Sequence, residues 1–288
     1  MQEQALWAVG LPGGCMAIVL AIALLLGPLR RKAGIADAAL ALCIPGAAFI
    51  TFLVEKGLPS LPPEQKWLIL PWTFLIAGVL GLVATAIGGR KCPGAMAVLG
   101  AAAVGGAGGL WLALPGIDTV DARISLALEL GIAVLVLAAV MRQGRQVLTC
   151  MALWGAATAL SLTLASSANI TLAMAAGAIA VTVAVAGVLL SIAPGSAPKQ
   201  RLGVGAAIAC ATTLMMLLIV GRIYDNSLDG IATWRWLLVI CGPAVLLLVP
   251  FATTLGRKSI ALVGVLLPAA VAAWPAVREL MDMDPAGF

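Results

Sequence analysis

Runs of roughly 20 apolar residues follow one another along almost the whole 288-residue chain, and each could cross the ~30 Å hydrocarbon layer of a bilayer at ~1.5 Å of helix rise per residue. Hydrophobic residues make up 62% of the sequence and charged residues 10%, whereas soluble domains carry about 25% charged residues. A soluble core could not bury so much apolar surface. We therefore predict an all-α integral membrane protein in which residues 1–288 form a single polytopic transmembrane domain.

We predict about ten transmembrane helices in one bundle, because the apolar runs are separated by short connections rich in Gly, Pro, Asn and Ser. The predicted spans are 5–27, 35–54, 68–88, 95–114, 124–141, 147–164, 170–193, 202–221, 236–252 and 259–277.

Basic residues cluster on alternate connections, which predicts the orientation. The clusters are Arg30-Arg31-Lys32, Arg90-Lys91, Arg142 with Arg145, Lys199 with Arg201, and Arg257-Lys258. Lys and Arg in short loops mark the cytoplasmic side of a membrane. Both termini are therefore predicted outside the cytoplasm. Every tryptophan except Trp154 maps near the predicted outer boundary, where indole rings favour the headgroup zone.

The net charge of +5 is predicted to meet anionic lipids at the cytoplasmic face of a plasma (inner) membrane, and we expect no nucleic-acid partner. The chain contains no histidine. That absence excludes His-ligated haem, His-based zinc sites and Ser-His or Cys-His catalysis. We expect no enzyme activity, no cofactor and no metal site.

Glu129 is the first candidate for a substrate or proton pathway. It lies six residues, or ~9 Å, beyond Arg123 in the fifth predicted span. A carboxyl at that depth is costly, and its default interpretation is a functional one. The alternative is a protonated Glu that bonds to Ser125 or reaches the outer interface.

Asp37 is the second candidate, about one turn into the second span and close to the basic cluster that begins at Arg30. Its structural interpretation is an interfacial ion pair or a helix N-terminal charge. Its functional interpretation is a substrate or proton site.

Trp154, Thr158 and Ser161 are spaced i, i+4 and i+7 on the sixth span, so they share one helix face. An indole and two hydroxyls could line a polar pathway. The alternative is interhelical hydrogen bonding, which Ser and Thr commonly supply in membrane bundles.

Gly105 and Gly109 form a GxxxG pattern in the fourth span. Small residues at this spacing let helix backbones approach closely. We predict helix packing within the bundle, with homo-oligomer contacts as the alternative.

Two functions fit this pattern. The first is a small-solute transporter of the inner membrane, in which Glu129 would supply proton coupling. The second is a non-catalytic transmembrane subunit or scaffold of a larger membrane complex, which the scarcity of polar residues in the spans favours.

Overall fold

The structure, a computed structural model, describes residues 6–25, 34–58, 66–87, 92–111, 119–143, 146–192, 202–225, 231, 233–248 and 255–282. These residues form helices and turns and contain no strand. The α-helices are α1 (Leu11–Leu25), α2 (Ile35–Lys56), α3 (Leu70–Ile87), α4 (Pro93–Trp111), α5 (Val120–Arg142), α6 (Gln146–Ser166), α7 (Ile170–Ile192), α8 (Val204–Ile223), α9 (Thr233–Leu248) and α10 (Leu255–Asp282). A π-helical turn, Leu6–Gly10, precedes α1, and a 3-10 turn, Lys66–Ile69, leads into α3.

Seven helices in the described part of the chain are long and apolar enough to cross a membrane. They are α1 with the turn before it, α2, α3 with the turn before it, α5, α6, α7 and α8. Shorter apolar stretches lie in α4 and α10. The all-helical, multi-pass membrane class is thus supported. The number of ten spans and the outward termini remain predictions.

Helix α8 is the centre of the bundle. It packs against α2, α3, α4, α5, α6 and α7, and 94% of it is buried, compared with 61% or less for the other long apolar helices. Its first half, from Val204 to Ala211, consists mainly of small residues, and larger side chains follow from Leu214 onwards. Small side chains let neighbouring backbones approach, so this half of α8 is the most tightly enclosed.

A close helix approach joins α3 and α8. A Cβ atom built on Gly81 would lie 2.7 Å from the carbonyl oxygen of Gly205, and one on Gly205 would overlap the Gly81 carbonyl. Only glycine fits on both sides of this crossing. In α4, a Cβ on Gly105 would lie 2.5 Å from the carbonyl oxygen of Ala127 in α5, so Gly105 packs within the bundle. Gly109 also lies in α4, but its surroundings are outside the described residues.

Proline does not interrupt the helices at mid-length. Helix α2 continues through the buried Pro45, and α9 continues through Pro243. Each proline removes one backbone N–H without ending its helix.

Candidate functional site

A cavity of about 370 Å³ lies between α5, α6, α8 and α9. Its walls are mostly aliphatic side chains and Met215. Two charged residues line it, Glu129 from α5 and Arg222 from α8. Helix α9 adds the indole of Trp236 and the thiol of Cys241. The cavity is open to one side, where the lining residues Ile132 and Leu237 are exposed. The sequence prediction for Glu129 therefore falls on a residue that borders this half-open cavity.

Glu129 lies deeper in the cavity than Arg222. A Cβ built on Gly108 of α4 would meet both Leu130 of α5 and Met216 of α8, so these two side chains lie at a similar level. Arg222 is six residues beyond Met216, or about 9 Å further along α8. Arg222 is exposed at the end of its helix, and Glu129 is half-buried in the wall. No ion pair joins the two described side chains.

The polar face of α6 does not line this cavity. Leu153, Ala156 and Leu160 are the α6 residues that do. Trp154 is 40% exposed on the outside of the bundle, and Thr158 is half-buried.

The hydroxyl of Ser161 donates a 2.7 Å hydrogen bond to the carbonyl oxygen of Ala173 in α7. Ser161 therefore makes an interhelical bond and is not brought together with Glu129. That Trp154, Thr158 and Ser161 form a pathway stays a prediction.

Asp37 is buried and caps the N-terminus of α8. Its Oδ1 accepts 2.8 Å hydrogen bonds from the backbone N–H groups of Gly203 and Ala206. Its Oδ2 accepts a 2.7 Å bond from the Thr85 hydroxyl and a 3.3 Å bond from the Gly205 N–H. The carboxylate therefore ties α2 and α3 to α8, where the N–H groups and the positive helix end favour a negative charge. The basic cluster near Arg30 lies outside the described residues.

The partners of Asp37 were not identified from the sequence. The residue at the start of α8 is Gly203, which has no side chain to cap the helix. No Ser, Thr, Asp or Asn stands at this position before the apolar run of α8. That absence was the available signal that a residue from another helix caps α8.

A second, more polar pocket of about 380 Å³ lies near the C-terminal end of α8, where Val220 and Tyr224 line it. Lys56, Trp67, Asn169 and Tyr224 contribute to its lining. The Asn169 side-chain amide donates a 2.8 Å hydrogen bond to the Tyr224 carbonyl oxygen. Partial burial raises the pKa of the Tyr224 phenol. Sequence reasoning missed this pocket, although the Ser-Ser-Ala-Asn stretch before α7 marks a polar turn between two apolar runs.

Arg235 is buried in α9. Its Nε donates a 3.2 Å hydrogen bond to the Ala272 carbonyl oxygen of α10, and its Nη2 lies 3.5 Å from the Ser166 hydroxyl of α6. These bonds connect α9 to α10 and α6, and two of these three helices, α6 and α9, also line the Glu129 cavity.

Comparison with protein-family models, with curated proteins and with solved structures gives no match to this chain.

Proposed function

We propose that the protein is a small-solute transporter of the plasma (inner) membrane and that the cavity lined by Glu129 is its solute site. The observation that carries this proposal is the position of a half-buried carboxyl in the wall of a mostly apolar cavity of about 370 Å³. An ionisable group inside a membrane bundle is costly to keep, and such groups mark substrate or ion pathways. A bundle built only for packing would gain more from an apolar residue at this position.

The same geometry supports proton coupling as part of the proposal. A carboxyl in apolar surroundings can be neutralised by a proton or by a bound cation, and the two compete for it. Arg222 and Cys241 are the other titratable residues that line the cavity. Neither is paired with Glu129, so its carboxyl is available to exchange a proton for a solute group.

Solute-driven proton movement in proteoliposomes tests the proposal. The purified protein would be reconstituted with a trapped pH-sensitive dye, and small solutes of different charge would be added from outside. We expect at least one solute to cause a proton flux, and Glu129→Gln to abolish it. Glu55→Gln is the matched control, because Glu55 lies at the end of α2 and does not line the cavity.

The two variants separate loss of function from loss of folding. After solubilisation in detergent, both variants should have the same melting temperature as the wild type. An unchanged flux in Glu129→Gln would overturn the role of this carboxyl.

The side of α4 that is exposed on the outside of the bundle favours the alternative, a non-catalytic subunit or scaffold. Ala102, Ala103 and Gly106 are exposed there, and no atom lies within 4 Å of a Cβ built on Gly106. A crevice of about 90 Å³ between α3, α4 and α8 lies beside this helix. Small exposed residues let a further helix approach closely.

Native mass measurement after gentle detergent extraction tests this alternative. A stoichiometric partner chain that is lost in Gly106→Leu would support it. A monomer that carries lipid and no other chain would contradict it.

A further inference from the structure

We infer that the Glu129 cavity takes lipophilic organic cations. This inference names the solute class for the proposed transport site and rests on that proposal for its function. As a statement about binding, however, it can be tested without any transport.

The arrangement of charge gives the first reason. The carboxyl of Glu129 lies in the wall of the cavity, whereas Arg222 is exposed at the C-terminal end of α8. Charges at an exposed helix end are screened by water and salt. A half-buried charge in an apolar wall is screened less than an exposed one and attracts its counter-charge more strongly. The interior of the cavity therefore favours a positive ligand.

The walls give the second reason. The lining side chains that are not aliphatic are Glu129, Arg222, Trp236, Cys241 and Met215. All the others are aliphatic. A compact, strongly hydrated cation would lose its water here and find few oxygen ligands in return. A cation whose charge is spread over apolar groups has less hydration to lose, and its apolar part replaces water against the aliphatic walls. The cavity therefore selects against small inorganic cations.

Aromatic and thioether groups give the third reason. Trp236 is among the lining residues, although only 2% of its surface is exposed, and an indole attracts a nearby cation through its ring quadrupole. Met215, also in the lining, is a flexible and polarisable side chain that adapts to ligands of different shape. These side chains suit a group of related hydrophobic cations more than one rigid ligand.

Two isosteric ions of opposite charge test the inference. Equilibrium dialysis of the detergent-solubilised protein would measure tetraphenylphosphonium, a cation, and tetraphenylborate, an anion of the same shape. Empty micelles correct for partition into detergent. We expect saturable binding of tetraphenylphosphonium that is weakened at least about 30-fold in Glu129→Gln, because loss of a buried charge partner removes most of the attraction. Glu55→Gln should bind as the wild type does.

Arg222→Gln supplies the reciprocal variant. It should raise the affinity for tetraphenylphosphonium, because it removes a positive charge from the mouth of the cavity. Saturable binding of tetraphenylborate that is lost in Arg222→Gln would overturn the inference in favour of an anion site. Equal binding of the phosphonium ion by the wild type and Glu129→Gln would also overturn it.

These results are distinguishable from failure of the proposed function. Binding that depends on Glu129 without solute-driven proton flux would support the ligand class and contradict transport. Flux that depends on Glu129 without binding of the phosphonium ion would support transport and contradict the ligand class.

Discussion

Removal of the Asp37 carboxylate should destabilise the bundle more than removal of any exposed acid. The side chain is 4% exposed and accepts hydrogen bonds from three backbone N–H groups at the start of α8 and from Thr85. In Asp37→Ala all four acceptor interactions disappear at once. The N–H groups of Gly205 and Ala206 are buried, so water cannot readily replace the lost oxygen atoms.

The size of the effect follows from these bonds. A hydrogen bond to a charged group contributes about 1.5–3 kcal/mol. Three backbone bonds at the lower end of that range give a loss of roughly 4.5 kcal/mol for Asp37→Ala. Asp37→Asn keeps one amide oxygen for Gly203 and Ala206 but points an N–H₂ group at the Gly205 N–H. We expect it to lose about half as much, on the order of 2 kcal/mol.

Unfolding in mixed micelles with increasing SDS, followed by loss of helical circular dichroism, would measure both losses. Asp121→Ala is the matched control, because Asp121 also lies in the first turn of a helix but is exposed. That control should cost less than about 1 kcal/mol. If Asp37→Ala unfolds within about 1 kcal/mol of Asp121→Ala, the carboxylate does not clamp α8 and the reasoning is refuted.

Three further predictions concern close packing, backbone strain and pH. Gly205→Ala should lower the free energy of unfolding by at least about 2 kcal/mol, because its Cβ would overlap the Thr85 hydroxyl. Gly106→Ala should be neutral or stabilise α4 by up to about 1 kcal/mol. Equal effects of the two substitutions in SDS unfolding would contradict the close approach at Gly205. Ala168→Gly should raise the unfolding free energy by about 1 kcal/mol, since Ala168 has φ of 59°, and a decrease would contradict the predicted strain. The chain has one tyrosine, Tyr224, and ultraviolet titration of its phenolate should give a midpoint above the ordinary pKa of about 10. The stability that this raised pKa contributes is fully present below a pH of about 10 and is lost as the pH rises through the folded-state pKa. A titration midpoint at or below about 10 would contradict the raised pKa.

The membrane class and the approximate helix positions could be predicted because hydropathy is a local property of the sequence. The central position of α8 could not. Its residues are apolar on every face, and in a membrane protein a lipid-facing helix has the same composition as a buried one. The small residues from Val204 to Ala211 were the only hint of its tight packing.

The candidate site was partly predictable for a similar reason. Glu129 stands out in the sequence because a carboxyl interrupts an apolar run, and the structure places it beside a cavity. Periodicity also put Trp154 and Ser161 on one face of α6, but periodicity does not say which neighbour that face meets. The Asp37 cap depends on residues far along the chain, at Gly203 and beyond, so no local pattern reports it.

Chemical access to Cys241 tests the central claim most directly, since this thiol lines the same cavity as Glu129. A variant that keeps Cys241 and has Ala at the other cysteine positions would be treated with a membrane-impermeant thiol reagent in sealed vesicles of known orientation. A variant that keeps only the buried Cys43 is the control. We predict that Cys241 reacts from the outer face, that tetraphenylphosphonium slows the reaction, and that Cys43 does not react. If the reagent modifies Cys241 from neither face, or no faster than it modifies Cys43, the result would contradict a solute-accessible cavity.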